Sequence, residues 1–116
     1  MDTTDAITAL TALAQTSRME TFRALVQHEP KGVPAGELAR LIAIPQNTMS
    51  AHLAILARAG LVRGERRSRS IIYRADLARL REVATFLLKD CCGGRSEICA
   101  PLIAELTSCC TPGASK

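Results

Sequence analysis

Five cysteines stand within the last quarter of this 116-residue sequence: Cys91, Cys92, Cys99, Cys109 and Cys110. Core packing alone would scatter them. Cys91 and Cys92 fall at the end of an amphipathic stretch, just before Gly93-Gly94, and a loop of six residues then returns Cys99. Three thiolates so spaced can converge on one ion, and soft thiolate ligands select soft or borderline ions over magnesium or calcium. Lys89 and Arg95 favour the ionised thiols. Adjacent cysteines make a strained disulfide with each other. A tetrahedral zinc site needs four ligands, usually in spaced CxxC pairs that are absent here. Cys91, Cys92 and Cys99 are therefore read as a soft-ion site. A thiol redox switch and incidental thiols remain the competing readings. Cys109 and Cys110 stay open: they complete the site, bind on their own or do neither.

A second constellation runs from Pro45 to Ala75. Met49, Leu53 and Leu56 repeat at i, i+4 and i+7, one face of an amphipathic helix. Between them stand Gln46, Asn47, Thr48, Ser50 and His52, short polar groups suited to base edges and phosphates. Packing of His52 against the buried face is an equal alternative. Gly60 ends the helix. Two strand-like runs follow, Leu61–Arg67 and Ser70–Ala75, joined at Ser68-Arg69. From Arg58 to Arg74 there are six arginines and one acid, Glu65, a local net charge of +5 against +4 for the whole chain. Positive charge is thus focused beside the polar helix, the footprint of a polyanion. A helix offering small polar groups before a basic hairpin outlines a winged helix-turn-helix. The fold class expected is mainly α with a two-stranded β wing, in a dimer. Gln46, Asn47, Thr48, Ser50 and His52 are assigned to the major groove, and Arg66, Arg67 and Arg69 to the flanking backbone or minor groove.

The surrounding pattern supplies the elements that hold these groups. Asp5–Ala14 predicts a first helix with Ile7, Leu10 and Leu13 inward and Thr3 or Thr4 as cap. Ser17–Glu20 has the form of a capping box opening a second helix, with Met19, Phe22, Leu25 and Val26 apolar. Glu29–Gly32 breaks that helix. Pro34 suits the first turn of a third, with Leu38, Leu41 and Ile42 inward. His28 is expected to cap carbonyls or sit at the surface. Asp76 caps a fifth helix carrying Leu77, Leu80, Val83, Ala84, Leu87 and Leu88. That stripe is wider than one small domain needs and reads as a subunit interface, with an intramolecular face as the alternative. Gly93-Gly94 ends this helix, and Pro101 opens a last short one through Cys110. Residues 1–110 are read as one domain, with 89–110 a cysteine-rich sensing segment and 111–116 a flexible tail.

With only three aromatic residues, the core must come from Leu, Ala, Ile and Val. No apolar run approaches the roughly 18 residues of a membrane span. The start Met-Asp-Thr-Thr-Asp lacks a basic signal-peptide region. A cytoplasmic location with reduced thiols is expected. No histidine or acid is spaced to activate a cysteine, so an enzyme is not expected.

The segment ELARLIAIPQNTMSAHLAILARAGLVRGERRSRSIIYRA resembles the ArsR/SmtB metal-sensing repressors in its EL helix, S-x-H-L recognition helix, AGLV and arginine-rich wing. The likeness extends from Leu10 to about Leu88. It implies a homodimer, joined through its first and fifth helices, that binds operator DNA and represses a resistance operon until an ion releases it. Two of the family's site types are missing. Pro34, Ala35 and Gly36 stand where arsenic sensors carry CVC, and no histidine follows His52 to build a zinc site. What remains is similar to an arsenite-responsive subgroup with Cys-Cys…Cys at the end of the fifth helix. The resemblance therefore implies trivalent arsenic or antimony as inducer at Cys91, Cys92 and Cys99, with no organic cofactor. Redox, cadmium or lead sensing on the same fold is the alternative.

Overall fold

The computed structural model describes residues 1–91 and 101, with side chains described for 1–88 and 101. Its elements are α1 (Thr3–Leu13), α2 (Thr16–Gln27), β1 (Val33–Pro34), α3 (Ala35–Ile42), α4 (Gln46–Arg58), β2 (Val62–Arg67), β3 (Ser70–Ala75) and α5 (Leu77–Cys91). Two compact units are present, Met1–Val83 and Ala84–Lys116. In the second, the described residues are the last turns of α5 and Pro101, both helical. No helix of the described residues is long and apolar enough to cross a membrane.

Leu25, Leu38, Met49, Leu53, Leu56, Leu61 and Val62 are fully buried and form the centre of the first unit. Removing each such side chain from water stabilises the fold by roughly 1.5–3 kcal/mol. Met49, Leu53 and Leu56 are the stripe expected for α4, so this helix presents its apolar face inward and its polar residues outward. The buried Thr21 hydroxyl donates to the Ser17 carbonyl at 2.7 Å, which satisfies its polar group within the helix.

α1 is rotated from the expected face. Ala6, Ala9 and Ala12 are buried, whereas Ile7 is 57% and Leu10 39% exposed. Leu13 alone of the expected stripe packs on the core. Alanine lets one helix axis approach another closely, so the small-residue face wins the contact with the neighbouring helices. Its cap is Asp2, whose Oδ1 accepts from the Asp5 N–H at 2.8 Å, rather than Thr3 or Thr4. α2 begins before Ser17, so the expected capping box does not form. Gln15 is the N-cap, and its side-chain oxygen accepts from the Arg18 N–H at 2.9 Å. Met19, expected inward, is exposed, as is Leu41 on α3, where Ala39 is buried instead.

The sheet has three strands in the order β1-β3-β2, all antiparallel. The hairpin β2–β3 was expected; β1 was not. Val33 pairs with Tyr73 and Pro34 with Ile72. Pro34 is therefore an extended edge residue (φ −67°, ψ 152°) that caps α3, not a residue of its first turn. Proline is acceptable there because an edge strand can spare one N–H. Ser68 takes a φ of 55° in the tight connection of the hairpin. Gly60 follows α4 at φ 81°, a conformation that favours glycine, and its N–H donates to the Ala57 carbonyl. Asp76 caps α5 as expected, its Oδ1 accepting from the Arg79 N–H at 3.1 Å. On α5, Val83 is buried and Leu80 packs on the core, while Leu77, Ala84 and Leu87 are exposed.

Candidate nucleic-acid interface

α4 starts after Pro45, which caps it without a side-chain hydrogen bond. The first backbone N–H groups therefore stay open, apart from that of Thr48, which donates to Asn47 Oδ1 at 2.9 Å. Gln46, Asn47, Thr48 and Ser50 are all exposed. Their exposure follows directly from the burial of Met49 and Leu53, because helical geometry turns the intervening positions outward. Gln46 and Ser50 also line an open cleft of about 360 Å³ together with Arg69, Ile71 and Tyr73 of the hairpin and Gly36 of α3. The first turn of α4 and the hairpin thus present polar and basic groups across one concave surface.

The hairpin arginines fall into two sets. Arg66, Arg67 and Arg69 are exposed. Arg67 lies 3.6 Å from Glu65, an exposed pair that water screens. Among the described residues Arg66 and Arg69 make no ion pair. Arg74 is different. Its Nη2 and Nε donate to the two Glu29 oxygens at 2.9 and 3.4 Å, and its Nη1 lies 3.6 Å from Glu65. The hydrogen bond and the charge of Glu29 hold this guanidinium still further above its already high pKa. It fastens β3 to the loop before β1 and is committed to the fold. Arg63 lies 3.8 Å from Asp76. The charge that the sequence focuses on this segment is therefore partly engaged in internal pairs, while Arg58, Arg66 and Arg69 are exposed and make no ion pair among the described residues.

His52 is half-buried, between the two roles foreseen for it. Its Nδ1 lies 3.5 Å from Arg18 Nη1. Burial first and the Arg18 charge second lower its pKa below 6.5. His28 is the C-cap of α2, exposed, and donates from Nδ1 to the Ala24 carbonyl at 2.7 Å. Two residues at this site were not foreseen. Arg18 reaches His52 from α2, and Arg79 reaches back from α5 to the end of α4, its Nε donating to the Ala59 carbonyl at 3.3 Å. Neither contact has a sequence signal, since the partners are 34 and 20 residues apart.

Of the soft-ion site, Cys91 is the last residue of α5, and its side chain lies outside the described residues. Cys92, Cys99, Cys109 and Cys110, the Gly93-Gly94 stop and the tail 111–116 also lie outside them. Among the described residues, no group of three or more His, Cys, Asp or Glu side chains is arranged to hold a metal ion.

Residues 13–65, from the end of α1 into β2, match the family described as a helix-turn-helix domain. With the antiparallel hairpin directly after α4, this decides the architecture. The fold is a winged helix-turn-helix. Solved structures agree with it. An ArsR-like transcriptional regulator from Rhodococcus sp. RHA1 superposes with a TM-score of 0.68 at 22% identity, over 94% of this chain and 95% of that one. The homodimeric winged helix-turn-helix DNA-binding domain Mb0332 from Mycobacterium bovis, described as a possible ArsR-family regulator, gives 0.61 at 24% identity over 72% and 76%. A protein described as a possible transcriptional regulator for arsenical resistance gives 0.56 at 29% identity over 68% and 83%. No curated protein sequence matches the chain. In winged-helix terms α4 is the recognition helix and β2–β3 the wing.

Proposed function

We propose that this chain is a transcriptional repressor of the ArsR type, which binds operator DNA as a homodimer and is released when trivalent arsenic or antimony binds Cys91, Cys92 and Cys99. The observation that carries the DNA-binding reading is the exposed row Gln46, Asn47, Thr48 and Ser50 on the recognition helix, of which Gln46 and Ser50 line a solvent-open cleft together with Arg69. The short polar side chains can read base edges, while Arg66, Arg67 and Arg69 neutralise phosphates. The homodimer is favoured by Ile7 and Leu10, which give α1 an exposed apolar face, and by the homodimeric state of the similar Mycobacterium bovis domain. The arsenic reading rests on the three thiols and on the arsenical-resistance description of one similar protein. Cytoplasmic operation follows from a partner that is DNA.

Release requires the ion to favour a dimer shape that fits DNA poorly. α5 carries Cys91 at one end and, through Arg79, touches the end of the recognition helix at the other. A shift at the start of α5 would reach the end of α4 through this hydrogen bond.

A gel-shift series on the chain's own upstream promoter tests both halves. Wild-type protein should retard the promoter, and arsenite should abolish the shift. Cys91→Ser and Cys92→Ser should retain the shift in the presence of arsenite, because a serine hydroxyl is un-ionised and too hard for a soft ion. Cys99→Ser should do the same, and Cys109→Ser and Cys110→Ser should matter less. Release by peroxide but not arsenite would replace the metalloid by a redox signal. Release by cadmium or lead alone would replace it by a divalent soft ion. A full arsenite response in Cys91→Ser and Cys92→Ser would remove the site from that pair.

A further inference from the structure

The two histidines of this chain use the same ring nitrogen in opposite ways. His28 Nδ1 faces the Ala24 carbonyl oxygen at 2.7 Å, an acceptor, so Nδ1 must carry the proton. His52 Nδ1 faces Arg18 Nη1 at 3.5 Å, and a guanidinium only donates. Nδ1 of His52 must therefore accept, which leaves the proton of the neutral ring on Nε2. The guanidinium is itself held in place. Arg18 Nε donates to the Ala12 carbonyl at 2.6 Å, one of the carbonyls left without a helical partner at the end of α1. The Arg18 backbone N–H is taken by the Gln15 cap. Arg18 thus bridges the end of α1, the first turn of α2 and the middle of the recognition helix. No hydrogen bond from His52 Nε2 forms among the described residues, and His52 lies one turn beyond the exposed Thr48.

We propose that Arg18 is a positioning residue for DNA contact: it locks His52 in the Nε2–H tautomer, so that this N–H is kept as a donor to a DNA phosphate. The proposal rests on the DNA-binding reading above for its second half only. The tautomer lock belongs to the free protein. Burial and the Arg18 charge both keep the ring neutral, which makes the contact a directed hydrogen bond rather than a diffuse positive charge.

Two-bond ¹H–¹⁵N correlation spectra of the free, histidine-labelled chain at neutral pH read both tautomers at once, with His28 as the internal reference. The expected result is a protonated Nε2 on His52 and a protonated Nδ1 on His28. Arg18→Met keeps the aliphatic stem but no donor, and should turn His52 into a mixture of tautomers. Arg18→Lys keeps a donor and should preserve Nε2–H. A protonated Nδ1 on wild-type His52, which needs no variant to observe, would overturn the lock. So would an unchanged tautomer in folded Arg18→Met.

The DNA half is read by fluorescence anisotropy with a labelled mixed-sequence duplex. His52→Gln places an amide N–H near the Nε2 position and should bind within about threefold of wild type. His52→Asn places its amide near Nδ1 and should bind about tenfold more weakly, the loss of one hydrogen bond to a charged acceptor. Equal affinities for the two variants would overturn the phosphate contact. Wild-type protein that keeps the tautomer pair but binds no DNA would overturn the phosphate contact together with the DNA-binding reading, and would leave the lock standing.

Discussion

His52 ties stability to pH. Burial and the neighbouring Arg18 lower its pKa in the folded chain below the ordinary 6.5. The unfolded chain therefore binds this proton more readily, and stability should fall as pH drops through and below about 6.5. Urea midpoints measured from neutral pH down to about pH 5 should decline, and His52→Gln should flatten that part of the curve. Equal slopes for the two proteins would show that the ring is not shielded. At the other end of the same helix, Gly60 sits at φ 81°, and a Cβ there would lie 2.8 Å from Arg79 Nε. Gly60→Ala should cost roughly 1–2 kcal/mol from the left-handed backbone alone, with more from displacing Arg79 off the Ala59 carbonyl. In an Arg79→Ala background the same change should cost less, because only the backbone effect remains. The helix stop at Gly60 was legible in the sequence because its signal is local. The contact with Arg79 was not, because nothing local encodes which arginine packs beside it.

At the scale of elements, the proposed function gives the recognition helix and the wing separate parts in DNA binding. Replacing Arg66, Arg67 and Arg69 together by Ala should weaken binding to every sequence. It should also flatten the salt dependence by up to roughly 0.9 in log–log slope for each phosphate that is no longer neutralised. Asn47→Ala should instead reduce preference for the operator over mixed DNA, by roughly 1–3 kcal/mol if it pairs with one base. Titrations at several salt concentrations on both DNAs separate the two effects. An unchanged salt slope in the triple variant would remove the wing from the interface. α4 and the hairpin were legible because each carries a single dominant period: Met49, Leu53 and Leu56 at helical spacing, then two short runs around a turn. α1 was misread because it offers two usable stripes. Its spacing fits Ile7, Leu10 and Leu13 as well as Ala6, Ala9 and Ala12, and close helix approach selects the alanines. β1 was missed because two residues have no period at all; pairing with β3 makes them a strand.

For the whole molecule, the exposed apolar face of α1 is the feature a lone copy leaves unexplained. Ile7, Leu10 and, on α5, Leu77 remain between 39% and 57% exposed. A second copy would cover such surface, and a two-fold dimer would present two recognition helices to two half-sites. Leu10→Lys should shift sedimentation velocity from dimer to monomer at micromolar concentration and reduce operator affinity at least tenfold, while helical content stays unchanged. Leu87→Lys, on the exposed face expected from the sequence, should act in the same direction. A wild-type monomer that still binds its operator tightly would contradict the dimer.

The sequence by itself determined the elements that nearest-neighbour physics controls: the amphipathic recognition helix, its glycine stop, the basic hairpin and the Asp76 cap. From these followed the winged fold and the outward placement of Gln46, Asn47, Thr48 and Ser50. Tertiary structure decided what depends on distant partners. It chose the alanine face of α1, added β1 to the sheet, committed Arg74 to Glu29 and set Arg18 against His52. The physical reason is common to all four. Helical period and turn chemistry act over a few residues, whereas the choice among equivalent faces and ion-pair partners is made only when separate elements compete for the same contact.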